Sequence, residues 1–249
     1  MATTDYKAKG LTKPVAGVPS SQEIRQQLAE AGRPVCVAFS GGKDAAAATL
    51  ALIRDGIEVI PCHLYGVPGK EPGKPLAFVE DGLKAYEDFF QFEIHRYPHP
   101  SFYRKLNAFV FQPPERCEVI EAAQLPTPTF EQMWQMIRID LGLPMDTWVA
   151  DGVRAADSLV RRASIKNHGA MKPSSWKVSP IWDWLTGKTY KSLEDAGCPL
   201  PVDYEMFGRS FDGIDYRFLK PVKDRFPEDY QQILSWFPLA EMEIMRNEL

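Results

Sequence analysis

Sixteen residues, VAFSGGKDAAAATLAL (37–52), constrain this chain more than any others. An apolar run, Val35 to Phe39, enters Ser40, Gly41, Gly42, Lys43 and Asp44 and leaves as an alanine-rich segment that ends at Gly56. That order reads as buried strand, tight loop and helix. Glycines at 41 and 42 are expected to take positive φ and let backbone N–H groups approach an anion. The N-terminus of the helix adds partial positive charge to the same place. Ser40 offers a hydroxyl and Lys43 a cation, while Asp44 either caps the helix or holds a magnesium ion. The long Walker pattern GxxxxGK[ST] is absent. A plain strand-to-helix turn would need little of this, so a phosphate cradle is the sharper expectation.

The flanking sequence repeats the alternation. Ser20 and Glu23 fit a capping box ahead of a polar helix that stops at Gly32. Strands are expected at Glu58 to Tyr65, in FEIHRY (92–97) and in TWVAD (147–151), with helices over PLAFVEDGLKAYEDFF (75–90), Phe130 to Leu141 and Val153 to Asn167. A long middle region contains the proline-rich stretch PPERCEVIEAAQLPTPT (113–129). Alternating strands and helices predict an α/β protein, a doubly wound, Rossmann-like parallel sheet with helices on both faces. Ligands in such sheets sit at the carboxyl ends of strands where the strand order switches. After residue 175 the periodicity weakens. Trp182, Trp184 and Trp236 read as packing anchors clustered there, and Asp183 as a buried, bonded carboxylate.

Charge and cysteine usage narrow the classes. Basic residues number 29 and acidic residues 33, a net charge of −4, so a bulk nucleic-acid or membrane-surface binder is not favoured. No apolar run suggests a membrane span or a leader. Cys36, Cys62, Cys117 and Cys198 form no CxxC pair, which predicts a reducing, cytoplasmic setting without an iron–sulfur cluster or a disulfide frame. Cys36 and Cys62 fall in strands and read as inert core thiols. His95 and His99 have the spacing of a zinc pair, but Pro98 and Pro100 are expected to break any helix there, so no zinc site is expected. From Gly152 to Lys177 the balance inverts, with Arg154, Arg161, Arg162, Lys166, Lys172 and Lys177 against Asp157 alone. Arg154 and Arg161 are candidate phosphate forks, and Asp157 is a candidate for orienting one of them. Arg162, Lys166 and Lys172 either form a solvated face or meet a polyanion such as a nucleic-acid backbone. Asp151 ends the fourth strand and either coordinates magnesium or caps the turn.

Three segments together resemble one family. SGGKD resembles the PP-loop signature SGGxDS of the ATP pyrophosphatases, within the adenine nucleotide alpha-hydrolase superfamily. DGVRAADSLVRRA resembles the GxRxxESxxR segment of the phosphoadenosine phosphosulfate (PAPS) reductase family, matching at Gly152, Arg154, Ser158 and Arg161 with Asp157 in place of Glu. SPIWDWLTGKTY resembles that family's P-I-x-D-W stretch at Pro180, Ile181, Asp183 and Trp184. The resemblance spans about 35 to 190 and implies a PP-loop nucleotide-binding domain over 20–175, after an arm at 1–19 and before an extension at 176–249 packed on the same domain. It implies ATP, or a PAPS-like adenine nucleotide, with phosphates on Ser40, Gly41, Gly42, Lys43, Asp44, Gly152, Arg154 and Arg161. His63, Leu64 and Tyr65 would lie beside adenine. Asp44 and Asp151 would hold magnesium, and Asp44, Lys43 and Arg154 would carry the chemistry.

The departures bear on the reaction. Ala45 stands where the signature has Ser, and the tail WFPLAEMEIMRNEL lacks the cysteine that sulfonucleotide reduction requires. Related adenylyltransferases share the three segments. The expected activity is cleavage of ATP between the α and β phosphates, adenylylating an unknown acceptor and releasing pyrophosphate. The alternatives are a non-catalytic nucleotide-binding sensor or partner subunit, and sulfur transfer with a thiol supplied by a protein partner. Small stand-alone members of this kind occur in bacteria and their phages.

Overall fold

The computed structural model describes residues 11–200, 202–207 and 213–248. It is an α/β structure with a six-stranded, mostly parallel sheet. The chain runs α1 (Ser21–Ala31), β1 (Val35–Ala38), α2 (Lys43–Arg54), β2 (Val59–Tyr65), α3 (Ala77–Phe90), β3 (His95–Pro98), α4 (Pro100–Asn107), α5 (Pro114–Ala123) and α6 (Phe130–Asp140). It continues with β4 (Val149–Ala150), α7 (Leu159–His168), β5 (Met171–Lys172), β6 (Lys177–Val178), α8 (Thr186–Ala196), α9 (Val202–Phe207), α10 (Tyr216–Arg225), α11 (Pro227–Trp236) and α12 (Glu241–Glu248).

The sheet order is β3-β2-β1-β4-β6-β5, with only the β5–β6 pair antiparallel. From β1 the chain moves outward through β2 to β3, then returns to β4 on the other side of β1. The order therefore switches between β1 and β4, and the loops leaving their carboxyl ends diverge around a crevice. Alternate residues of β1 serve opposite faces. Val35 and Val37 join the core made with α1, α2, α3 and α8, while Cys36 meets Met133, Trp134 and Ile137 of α6. Ala46, Ala47 and Ala48 are completely buried, so the alanine run seats α2 close to the sheet.

As expected, His95 and His99 share no helix: His95 lies in β3, and Pro100 starts α4 at a first-turn position, where a missing N–H costs nothing, with His99 Nδ1 accepting from the Ser101 N–H at 3.0 Å as its cap. Pro114 likewise opens α5 inside the proline-rich stretch. Several local expectations need revision. The basic helix starts at Leu159, not Val153, because the Ser158 hydroxyl caps it by accepting from Arg161 N. The weakly periodic tail is helical from α8 to α12. Its tryptophans do not form one cluster: Trp182 and Trp184 belong to the core beneath α1 and α2, and Trp236 to a second core around α10 and α11. Asp183 is buried and takes hydrogen bonds from Ser21 Oγ (2.5 Å) and Ser21 N (3.2 Å). Within the stretch read as a loose arm, the described part is tied down: Lys13 N donates to Asp183 O and Leu185 N to Leu11 O. Residues 1–10 of that arm lie outside the described residues. No helix among the described residues is long and apolar enough to cross a membrane.

Candidate functional site

The loop after β1 and the loop after β4 meet at the switch. Gly41 has φ +77°, whereas Gly42 has φ −84°, so only the first of the two glycines uses the left-handed region. Tyr86 of α3 donates its hydroxyl to Gly41 O at 3.2 Å, and Gly42 N reaches Ser40 Oγ at 3.4 Å. Gly41 and Gly42 are buried, yet no side chain caps α2. The first N–H groups of a helix have no partner within it. A buried, uncapped N-terminus beneath a glycine turn leaves those donors to a ligand.

Gly152 brings the second loop against the first. A Cβ built there would lie 2.8 Å from Asp44 C, 2.9 Å from Ala45 N and 3.0 Å from Asp44 O. Only glycine permits this approach. Next to it, Arg154 is 3% exposed. Its Nη2 donates to Asp157 Oδ1 at 2.6 Å, and its Nη1 reaches Thr186 Oγ1 (3.2 Å) and Thr189 Oγ1 (3.4 Å) of α8. Its Nε stands 3.0 Å from Asp44 Oδ1, an ion pair at an angle outside hydrogen-bond geometry, so both buried atoms are left without a hydrogen bond. Asp157 accepts a second cation, Arg161 Nη1 at 2.7 Å, and so orients two arginines. Arg161 is half exposed at the mouth. Lys43 Nζ contacts Asp44 Oδ2 at 2.7 Å and lies 6.0 Å from the Tyr190 ring centroid.

On the other flank β2 outruns β1. The last paired residues are Ala38 and Cys62, so His63, Leu64 and Tyr65 overhang the loop. His63 Nδ1 lies 2.9 Å from Phe39 O. A carbonyl only accepts, so Nδ1 carries the proton and Nε2 is the bare acceptor. Burial pushes the His63 pKa down to about 4, with Arg96 and His99 adding to the effect against the Phe39 hydrogen bond. On the far side, Tyr65 O accepts from His99 N.

Asp151 closes its own turn, Oδ1 accepting from Val153 N (3.0 Å) and Ser179 Oγ (2.7 Å). Burial raises its pKa. The two carboxylates assigned to magnesium are thus turned to other partners, Asp44 to Lys43 and Arg154 and Asp151 to the turn. No group of three or more His, Cys, Asp or Glu among the described residues could hold a metal. These side chains do not fit a magnesium ion as they stand. Thr186, Thr189, Tyr86 and Tyr190 are contributors that the sequence does not single out. The spacing of Thr186 and Thr189 puts them on one helical face, a signal that acquires meaning only once α8 is known to cross beside α2.

No protein-family model matches the chain, and the curated proteins compared with it include no significant relative.

Proposed function

We propose that the crevice binds ATP and breaks its α–β phosphate link to adenylylate an acceptor. It is the activity that the resemblance to the PAPS reductase family and the adenine nucleotide alpha-hydrolase superfamily implies. The observation that carries it is the buried, uncapped N-terminus of α2 against the Gly152 loop. Backbone donors of Gly42 to Ala45 would take the phosphate oxygens, and Lys43 would turn from Asp44 to the phosphates. Arg161 would close the mouth. Arg154, held by Asp157, Thr186 and Thr189, would keep Asp44 in place and direct its unbonded Nε into the same polar group. The overhanging edge of β2 at His63 to Tyr65 offers the adenine-side wall. An acceptor oxygen attacks the α-phosphorus, the bond to the bridging oxygen breaks, and pyrophosphate leaves with the electron pair. The acceptor's proton is lost to solvent. Position and charge supply the catalysis, with no covalent enzyme intermediate. No step is routed through magnesium.

One observation favours a second reading. Lys43, Arg154 and Arg161 each already face a carboxylate, as a nucleotide-binding module without turnover would tolerate. Calorimetry with ATP, AMP and PAPS, followed by a pyrophosphate-release assay, separates the two. A micromolar ATP site weakened at least tenfold in Lys43→Ala, with pyrophosphate released, supports the enzyme. Binding without release leaves the module. No binding of any adenine nucleotide overturns both.

A further inference from the structure

Between Ser158 and Ile181 the chain carries Arg161, Arg162, Lys166, Lys172 and Lys177 and no acidic residue, within a protein of net charge −4. They lie on α7 and the β5–β6 hairpin, the elements that follow β4, whose loop forms one wall of the crevice. Arg162 and Lys166, four apart on α7, share a helical face, and among the described residues no carboxylate pairs with either. Lys172 reaches Ser164 Oγ of α7 at 3.4 Å and so ties the β5–β6 hairpin to the helix. Lys172 and Lys177 stand directly opposite each other across that hairpin. Like charges in register repel; Asp151, the acid that attracts both, is bonded within its own turn, and Lys177 Nζ lies 5.0 Å from the Phe130 ring centroid. Asp151 N donates to Val178 O at 3.0 Å, so the hairpin lies beside the strand whose loop walls the crevice.

Apolar surface accompanies the charge. Leu159 and Val160, in the first turn of α7, are 84% and 79% exposed, more than any other large hydrophobic side chain described. Trp176, at the tip of the hairpin with φ +52°, packs edge-on against Trp148 at 5.1 Å and is only partly buried. A cationic track beside apolar and aromatic side chains suits a strand whose bases are unpaired, because each base then has a face to pack. A duplex hides those faces and would use the cations alone.

We propose that α7 and the β5–β6 hairpin form a docking strip for single-stranded nucleic acid, which presents the acceptor group to the crevice. The presentation step rests on the nucleotide reading above; the docking itself does not.

The test is fluorescence anisotropy of a labelled 20-nucleotide single strand, DNA and RNA in parallel, with no nucleotide present. A matched duplex and poly-glutamate serve as competitors. Micromolar binding at low salt is expected, with affinity falling on a log–log salt plot by about 0.7 per phosphate neutralised. Arg162→Glu with Lys166→Glu is expected to weaken binding at least tenfold, and Arg162→Gln with Lys166→Gln to make the slope shallower by roughly 1.4. Leu159→Ser is expected to narrow the preference for single strand over duplex. ATP calorimetry on the same variants is expected to match the parent, so that failure of the strip and failure of the nucleotide site read out separately. No binding, equal competition by poly-glutamate, equal binding of duplex, or an unchanged double charge reversal would each overturn the proposal.

Discussion

At the scale of single residues, the crevice depends on one missing Cβ and one neutral imidazole. Gly152→Ala sets a methyl group against backbone atoms of Asp44 and Ala45 at 2.8–3.0 Å. Backbone cannot rotate away as a side chain can, so the two loops must separate. The expected result is a loss of about 1–3 kcal/mol in stability together with at least a tenfold loss of ATP affinity, read by thermal melts and calorimetry. A full-strength ATP site in Gly152→Ala would remove the close approach from the argument. His63 gives a pH signature. Its folded pKa of about 4 lies below the ordinary histidine value of 6.5, so the unfolded chain binds the extra proton. Its contribution is fully present above pH 6.5 and lost as pH falls towards 4, on the order of 3 kcal/mol over that window. Urea titrations at pH 7, 5.5 and 4.5 are expected to show this fall, and His63→Gln to flatten it. The identities of Ser40 to Asp44, Gly152, Arg154 and Arg161 were legible in sequence because loop chemistry is local. The partners of Arg154 Nη1 were not, because Thr186 and Thr189 lie far along the chain and meet it only through folding.

At the scale of elements, legibility followed the strength of the local signal. The Ser20–Glu23 capping box forms as written, with Ser20 N donating to Glu23 Oε2 at 2.7 Å, and Gly32 stops α1 in the left-handed region. Prolines mark boundaries, because Pro100 and Pro114 take first-turn positions and open α4 and α5. The strands β5 and β6 are two residues each, too short for any period to mark, whereas β4 falls inside the expected TWVAD strand. The helices of the tail bury a second core against Phe78 and Phe102, a partnership no local pattern carries. One junction links these levels. Ser21, in the first turn of α1, gives both its N–H and its hydroxyl to Asp183, a residue of the third family-like segment. Asp183→Ala would leave two buried donors unanswered, at about 1–3 kcal/mol each. The expected loss is about 2–4 kcal/mol in urea unfolding. The paired variant Asp183→Ala with Ser21→Ala should recover part of it, since the hydroxyl is then gone too. No recovery would mean that Asp183 acts through something other than Ser21.

At the scale of the whole molecule, the chain past residue 175 is woven into the sheet. β6 lies between β4 and β5, and without it the β4 edge and the β5 strand have no partner. Ile181 and Trp182 are completely buried in the same core as Val35, Val37 and α2. Trp182 Nε1 donates to Pro19 O, so the tail also fastens the segment ahead of α1. α8 then supplies the hydroxyls that hold Arg154 at the crevice. A nucleotide-binding unit ending at 175 would therefore lack the strand that joins β4 to β5, the completely buried indole of Trp182 and the support of its arginine. Loss of one such side chain alone costs about 3–5 kcal/mol, a large part of a typical domain's 5–15 kcal/mol. A fragment of residues 1–175 is expected to show no cooperative thermal transition, to bind a hydrophobic dye and to have no ATP affinity, while the 249-residue chain melts in a concerted step that ATP raises. A fragment that melts sharply and binds ATP would show that the sheet closes without β6. The site would then have to be rebuilt on β1, β2 and β4 alone, with Arg154 held by Asp157 and Asp44 and nothing from α8.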